Sequence, residues 1–214
     1  MKTDVAIAKI LFDVGAIAVR PENPFRGVSG LVTPIYTDGR VLVSRQPERK
    51  QVATALEKLC RTNFPDADVI AGIATSGIPW AAWVAAGLNK PMVYIRNRAK
   101  RHGKRTRIEG VLEPGSKVVV IDDVVNTGGS LLSGISAIRS VGGDPVGALA
   151  ISTYQLRMAT EGFRKAQVPL YTLTNLRSLL TTARTTGVIS PESEQVVLEW
   201  AGRPAAWTGQ RKTD

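Results

Sequence analysis

The stretch VVVIDDVVNTGGS, residues 118–130, sets four aliphatic residues against two adjacent aspartates and follows them with a run of small residues. The aliphatic run reads as a strand buried on both faces, and Asp122 and Asp123 adjoin its carboxyl end, where strand alternation points them in different directions. Two carboxylates here suit either a pair of neighbouring hydroxyls, as on a ribose, or a hydrated divalent cation. Thr127-Gly128-Gly129-Ser130 then opens a helix, whose free N–H groups and positive dipole end favour a phosphate. Together they point to a ribose bearing a 5-phosphate. A helix cap would need one acidic residue beside the helix start, not a pair some seven residues earlier.

Outward from this stretch the pattern alternates. Residues 69–74, 92–95, 117–121, 146–153 and 169–173 read as strands. Helices are expected at 47–61, 79–88, 130–141, 176–184 and 191–200, the last with Ser190 as its N-cap and Pro191 as its first residue. The alternation predicts an α/β fold with a parallel sheet covered on both faces, whose ligands bind outside the carboxyl ends of the strands. Both small-residue loops, Thr75-Ser76-Gly77 and residues 122–130, leave strands at that edge. An amphipathic first helix is expected at 5–14, ended by Gly15. Between it and the main alternation, Thr33-Pro34-Ile35-Tyr36 and Val41-Leu42-Val43 flank Asp38-Gly39, which reads as a hairpin in a small appended sheet.

The chain of 214 residues, 43% hydrophobic and 21% charged, suits one globular domain without repeats. Lys2 and Asp4 among the first residues spoil a signal or transit peptide, so a cytoplasmic protein is expected. Cys60, the single cysteine, sits at helical spacing with Leu56 and Leu59 and reads as core. Residues 69–89 carry no charge and have the length of a membrane span, yet Thr75-Ser76-Gly77-Ile78-Pro79 breaks them with turn chemistry, which argues for a strand and a helix. The net charge of +10 invites a nucleic-acid partner. Seven of the basic residues crowd into 96–107 with few aromatics to stack bases, which equally suits a small, highly phosphorylated substrate. Neither Gly-x-x-x-x-Gly-Lys nor Gly-x-Gly-x-x-Gly occurs, so neither ATP nor a dinucleotide is favoured.

The stretch 118–130 resembles the phosphoribosyl diphosphate signature of type I phosphoribosyltransferases. FRGVSGLVTPIYTDGR at 25–40 is similar to the hood segment of the orotate phosphoribosyltransferase family. GIATSGIPWA at 72–81 resembles that family's pyrophosphate loop, and RNRAKRHGKRTRIEG at 96–110 its mobile catalytic loop. The resemblance implies a type I phosphoribosyltransferase fold over residues 1–214, with a hood at about 16–45 and the catalytic loop at 96–110. It implies transfer of the phosphoribosyl group from 5-phosphoribosyl 1-diphosphate to orotate, giving orotidine 5-phosphate and pyrophosphate. Lys100, His102, Asp122 and Asp123 would be catalytic. Arg96, Thr75, Ser76, Gly77, Tyr36 and the loop Val124, Val125, Asn126, Thr127, Gly128, Gly129, Ser130 would bind substrate. Mg²⁺ would be held through the diphosphate rather than by protein alone, and the catalytic loop would be shared across a homodimer, with no membrane and no specific nucleic acid involved.

The chain departs from the family pattern at Asn97, Ser76 and Asn126, and in presenting Tyr154 and Gln155 where some members bring an arginine to orotate. Backbone N–H groups of residues 32–36 and the Asn126 amide are the donors left for the base. Two alternatives stay open: the same fold acting on another base, and a regulator that senses phosphoribosyl diphosphate.

Overall fold

The computed structural model describes residues 2–26, 31–97 and 107–208. Ile7, Ala8 and Leu11 are buried along α1 (Thr3–Asp13), and the chain turns at Gly15, whose φ of 73° favours a residue without Cβ. Then come four short strands: β1 (Ile17–Val19), β2 (Phe25–Arg26), β3 (Val32–Thr33) and β4 (Ile35–Thr37).

Here the structure corrects the expected hairpin. β4 pairs antiparallel with β1, Ala18 opposite Tyr36, and not with the residues after Asp38. Those residues, Gly39–Ser44, form a 3₁₀ helix. The Asp38 carboxylate accepts the Arg40 N–H at its start, and Leu42 is fully buried, so a cap and a core contact outweigh the turn signal of Asp38-Gly39.

The main body follows the expected alternation through α2 (Gln46–Asn63), β5 (Val69–Ile73), α3 (Gly77–Leu88) and β6 (Met92–Ile95). It continues with β7 (Ile108–Glu109), β8 (Lys117–Val125), α4 (Gly129–Arg139) and β9 (Asp144–Thr153). It closes with α5 (Arg157–Ala166), β10 (Leu170–Asn175), α6 (Leu176–Thr185) and α7 (Pro191–Gly202). Cys60 is buried in α2 beside Leu56. Residues 69–89 divide into β5 and α3, and no helix among the described residues is long and apolar enough to cross a membrane. The Ser190 side chain caps α7 through the Ser193 N–H.

Six strands form one sheet in the order β10-β9-β8-β5-β6-β7. Its neighbours are parallel except at the edge, where β7 runs antiparallel to β6, so the sheet is mixed rather than wholly parallel. The cause is local. The chain leaves the edge after Ile95 and returns along it, joined by the Arg96 N–H to the Arg107 carbonyl at 2.8 Å.

Ile70, Val119, Ile121, Leu149 and Ile151 point to the face covered by α1, α2, α3 and α6. Ala71, Val118, Val120, Ala148 and Ala150 point to the face covered by α4 and α5. Burial on both faces is why these strands read as continuous apolar runs.

Candidate active site

β8 extends beyond the expected end at Ile121. Its ladder with the long β9 continues through Asp122 opposite Ala150 to Val125 opposite Thr153, so both aspartates lie inside the strand rather than in the loop after it. Their side chains consequently meet different neighbours. Ser76 Oγ donates to Asp122 Oδ1 at 3.1 Å. Asp123 lies under the 3₁₀ helix, so close that a Cβ built on Gly39 would stand 2.7 Å from the Asp123 carboxylate. The Asp123 N–H donates to Asp122 Oδ1 at 2.9 Å, and the Val124 N–H to Asp123 Oδ1 at 2.8 Å.

Only 5% of Asp122 and 9% of Asp123 is exposed. Burial, and then the neighbouring charge of Asp123, pushes Asp122 up to about 8, and burial raises Asp123 as well. An acidic pair held this way gains from hydroxyl donors or a cation that restore what desolvation removed.

The loop between β5 and α3 reaches the pair because of Gly77. A Cβ there would lie 2.3 Å from the Ile121 carbonyl oxygen, so only glycine lets the start of α3 press against β8. This contact sets Ser76 beside Asp122, with Thr75 following a cis peptide bond from Ala74.

Beyond Val125 the chain turns into α4. Gly128 holds the N-cap position with φ of 82°, and no side chain caps the helix. The amides at the start of α4 are therefore left for a ligand, as an anion site requires. A cavity of about 80 Å³ lies here, lined by Asp122, Val124, Val125, Asn126, Thr127, Gly128, Gly129, Ser130 and Leu131. Asn126 Oδ1 is buried and has no hydrogen-bond partner among the described residues.

Behind the loop stands α5, which the sequence reading passed over. A Cβ on Gly128 would meet Phe163 at 3.3 Å and Ala159 at 3.4 Å. Ala159 and Phe163, four residues apart, were the signal that marks this helix.

The other expected site residues divide into two groups. Tyr36 is 42% exposed on β4, its ring 5.4 Å from that of Phe25. Arg96 closes the base of the segment at 96–110, with its Nη1 3.2 Å from Glu109 Oε1. The Arg107 guanidinium ties that base to α4 through Ser133 Oγ at 2.7 Å. Lys100 and His102 lie outside the described residues. Tyr154, in contrast, is 4% exposed and donates its hydroxyl to Thr37 Oγ1, so it braces the N-terminal strands instead of facing a ligand.

An acidic pair on one strand, an uncapped helix start beyond it and a small-residue loop on the adjacent strand share one edge of the sheet. This arrangement is that of a type I phosphoribosyltransferase. Residues 42–161 match the phosphoribosyl transferase domain family. Over 207 residues the chain is 44% identical to orotate phosphoribosyltransferase of Bacillus caldolyticus, covering 97% of this chain and 99% of that protein. It is 42% identical over 198 residues to orotate phosphoribosyltransferase of Bacillus subtilis (strain 168), covering 92% of each. The crystal structure of orotate phosphoribosyltransferase from Aeropyrum pernix superposes with a TM-score of 0.73 at 29% identity, over 86% of this chain and 99% of that one. The chain belongs to the orotate phosphoribosyltransferase family.

Proposed function

We propose that the protein transfers the phosphoribosyl group of 5-phosphoribosyl 1-diphosphate to orotate, giving orotidine 5-phosphate and pyrophosphate in pyrimidine biosynthesis. The observation that carries the reading is the shared cavity of Asp122 and the α4 start. One substrate that is both a diol and a phosphate ester fits a carboxylate and a ring of free amides set this close.

In this reading the amides of residues 127–130 and the hydroxyls of Thr127 and Ser130 hold the 5-phosphate. Asp122 and Asp123 accept the ribose hydroxyls, and Ser76 keeps Asp122 oriented. Thr75, Ser76 and Gly77 border the diphosphate. Bond breaking at the anomeric carbon leads and leaves an oxocarbenium-like sugar, while pyrophosphate gathers negative charge. Arg96, Lys100 and His102 would stabilise that charge more in the transition state than in the ground state. Tyr36, Val124, Val125 and Asn126 border the base, and the Asn126 side chain, whose Oδ1 has no partner among the described residues, supplies an amide donor for it.

The two carboxylates and the neighbouring hydroxyls form a hard donor set that suits Mg²⁺, and Mg²⁺ carried on the diphosphate would neutralise the leaving group. Among the described residues no three His, Cys, Asp or Glu side chains gather into a metal site. The family resemblance supports the remaining parts of the reading. These are a single domain with its hood at about 16–45, a homodimer sharing residues 96–110, and a cytoplasmic location.

The test is a panel of bases. With phosphoribosyl diphosphate and Mg²⁺ present, pyrophosphate release is measured with orotate, uracil, adenine, guanine and hypoxanthine. Release with orotate alone is the expected result. Release only with another base would move the specificity, and release with none would favour a sensor over an enzyme.

A further inference from the structure

Orotate carries a carboxylate, and a carboxylate removed from water needs a cation or several donors in return. The segment whose resemblance implies an arginine for that purpose has Tyr154 and Gln155, and the Tyr154 hydroxyl is committed to Thr37. A different arginine stands on the hood side of the site. Arg40 Nε donates to Asp38 Oδ1 at 2.7 Å and its Nη2 to Asp38 Oδ2 at 2.7 Å. This two-point fork fixes the plane of the guanidinium. Nη2 also lies 3.5 Å from the Tyr36 hydroxyl.

The backbone places this fork at the site. Gly39, the residue before Arg40, packs onto the Asp123 carboxylate, and Tyr36 presents its exposed ring on the adjoining strand. Arg40 therefore begins against the Asp123 carboxylate, which in the proposed reading accepts a ribose hydroxyl, and ends beside the aromatic ring at the hood. The Asp38 fork occupies Nε and one Nη2 hydrogen. The Tyr36 hydroxyl takes the other Nη2 hydrogen, and among the described residues Nη1 has no acceptor, so its two N–H groups remain, held in the plane the fork sets, for a ligand carboxylate. Such an arginine is braced before the ligand arrives, which lowers the ordering cost of the contact.

We propose that Arg40, braced by Asp38, reads the carboxylate of the base, so that the hood selects an anionic pyrimidine. The proposal rests on orotate being the base and names the residue that recognises it. Arg40 is a binding residue and takes no part in breaking the sugar bond. The chain then carries its specificity on the 3₁₀ helix rather than at the end of β9.

The experiment is steady-state kinetics on the full chain with Arg40→Gln and Asp38→Asn. Arg40→Gln is expected to raise KM for orotate about tenfold or more, the loss of one charge-assisted contact, while KM for phosphoribosyl diphosphate stays within about twofold. Asp38→Asn keeps the cation and loosens it, so its orotate KM rises less. Uracil, which lacks the carboxylate, serves as a competitive inhibitor, and its inhibition constant is expected to be the same in wild type and Arg40→Gln. An unchanged orotate KM in Arg40→Gln would overturn the proposal, as would an equal loss of uracil and orotate binding. Thermal unfolding of each variant guards against a folding defect. A wild-type protein that ignores orotate while turning over another base would overturn the base reading itself, which is a different result from an active wild type with an indifferent Arg40.

Discussion

The Tyr154 hydroxyl donates to Thr37 Oγ1 at 2.9 Å, joining the end of β9 to β4 across 117 residues of sequence. A second bond runs parallel to it: Trp200 Nε1 donates to the Val32 carbonyl at 3.0 Å, and the Tyr154 and Trp200 rings meet edge to face at 5.6 Å. Two aromatic side chains from the C-terminal half thus fasten both small hood sheets. Tyr154→Phe removes one hydroxyl and leaves the ring in place. It is expected to cost about 1 kcal/mol, or about 2–4 °C in Tm. Thermal unfolding checks this, and the double variant with Thr37→Val should lose little more than either single change.

The acidic pair makes stability depend on pH in a stated direction. Asp122 titrates higher folded than unfolded, so the folded state binds more protons over the interval between its ordinary value and about 8. Stability from this group is fully present below the unfolded pKa and is lost as pH rises through the folded one. Asp122→Asn has no such loss. Its Tm relative to wild type is therefore expected to climb between pH 5 and pH 8, while its turnover falls by about two decades, the scale of one lost electrostatic contact at a reacting centre. A Tm difference that is flat with pH would contradict the burial argument.

Gly77 tests the close approach that creates the site. Gly77→Ala forces a methyl to within 2.3 Å of the Ile121 carbonyl oxygen, and something must shift. A loss of about 1–3 kcal/mol is expected, together with weaker binding of phosphoribosyl diphosphate, because Ser76 leaves Asp122. Gly202→Ala is the control, since nothing lies within 4 Å of its added methyl. Denaturant unfolding of both variants gives the comparison.

The proposed sharing of residues 96–110 between subunits is checked by mixing. Lys100→Ala and Asp123→Asn proteins, each nearly inactive alone, should regain activity together if the loop of one subunit serves the site of the other. Shown subunit exchange without recovery across mixing ratios would place each loop over its own site.

The alternation of apolar strands and helices was legible in the sequence because the sheet is buried on both faces. Val118 to Ile121 have no other place to go, and the acidic pair beside them announces the site edge. What escaped depended on longer-range choices. Asp38-Gly39 has the chemistry of a hairpin turn, but β4 found β1, and the pull of Leu42 into the core decided the matter. β8 outran its apolar run because β9 supplies partners as far as Thr153. α5 was missed because its polar side dominates the local sequence, leaving only Ala159 and Phe163 to mark the buried face. Of the site, Asp122, Asp123, Ser76 and the α4 start are brought together by the fold. The bracing of Tyr154 on Thr37, and of Arg40 on Asp38 beside Asp123, rests on the placement of the hood and could not be read from spacing.

The most direct measurement is the Mg²⁺-dependent loss of orotate absorbance in the presence of phosphoribosyl diphosphate, followed in wild type and in Asp123→Asn. The account predicts decay in wild type that stops on Mg²⁺ chelation and falls by about two decades in Asp123→Asn. Steady absorbance in wild type, or undiminished decay without the Asp123 carboxylate, would contradict it.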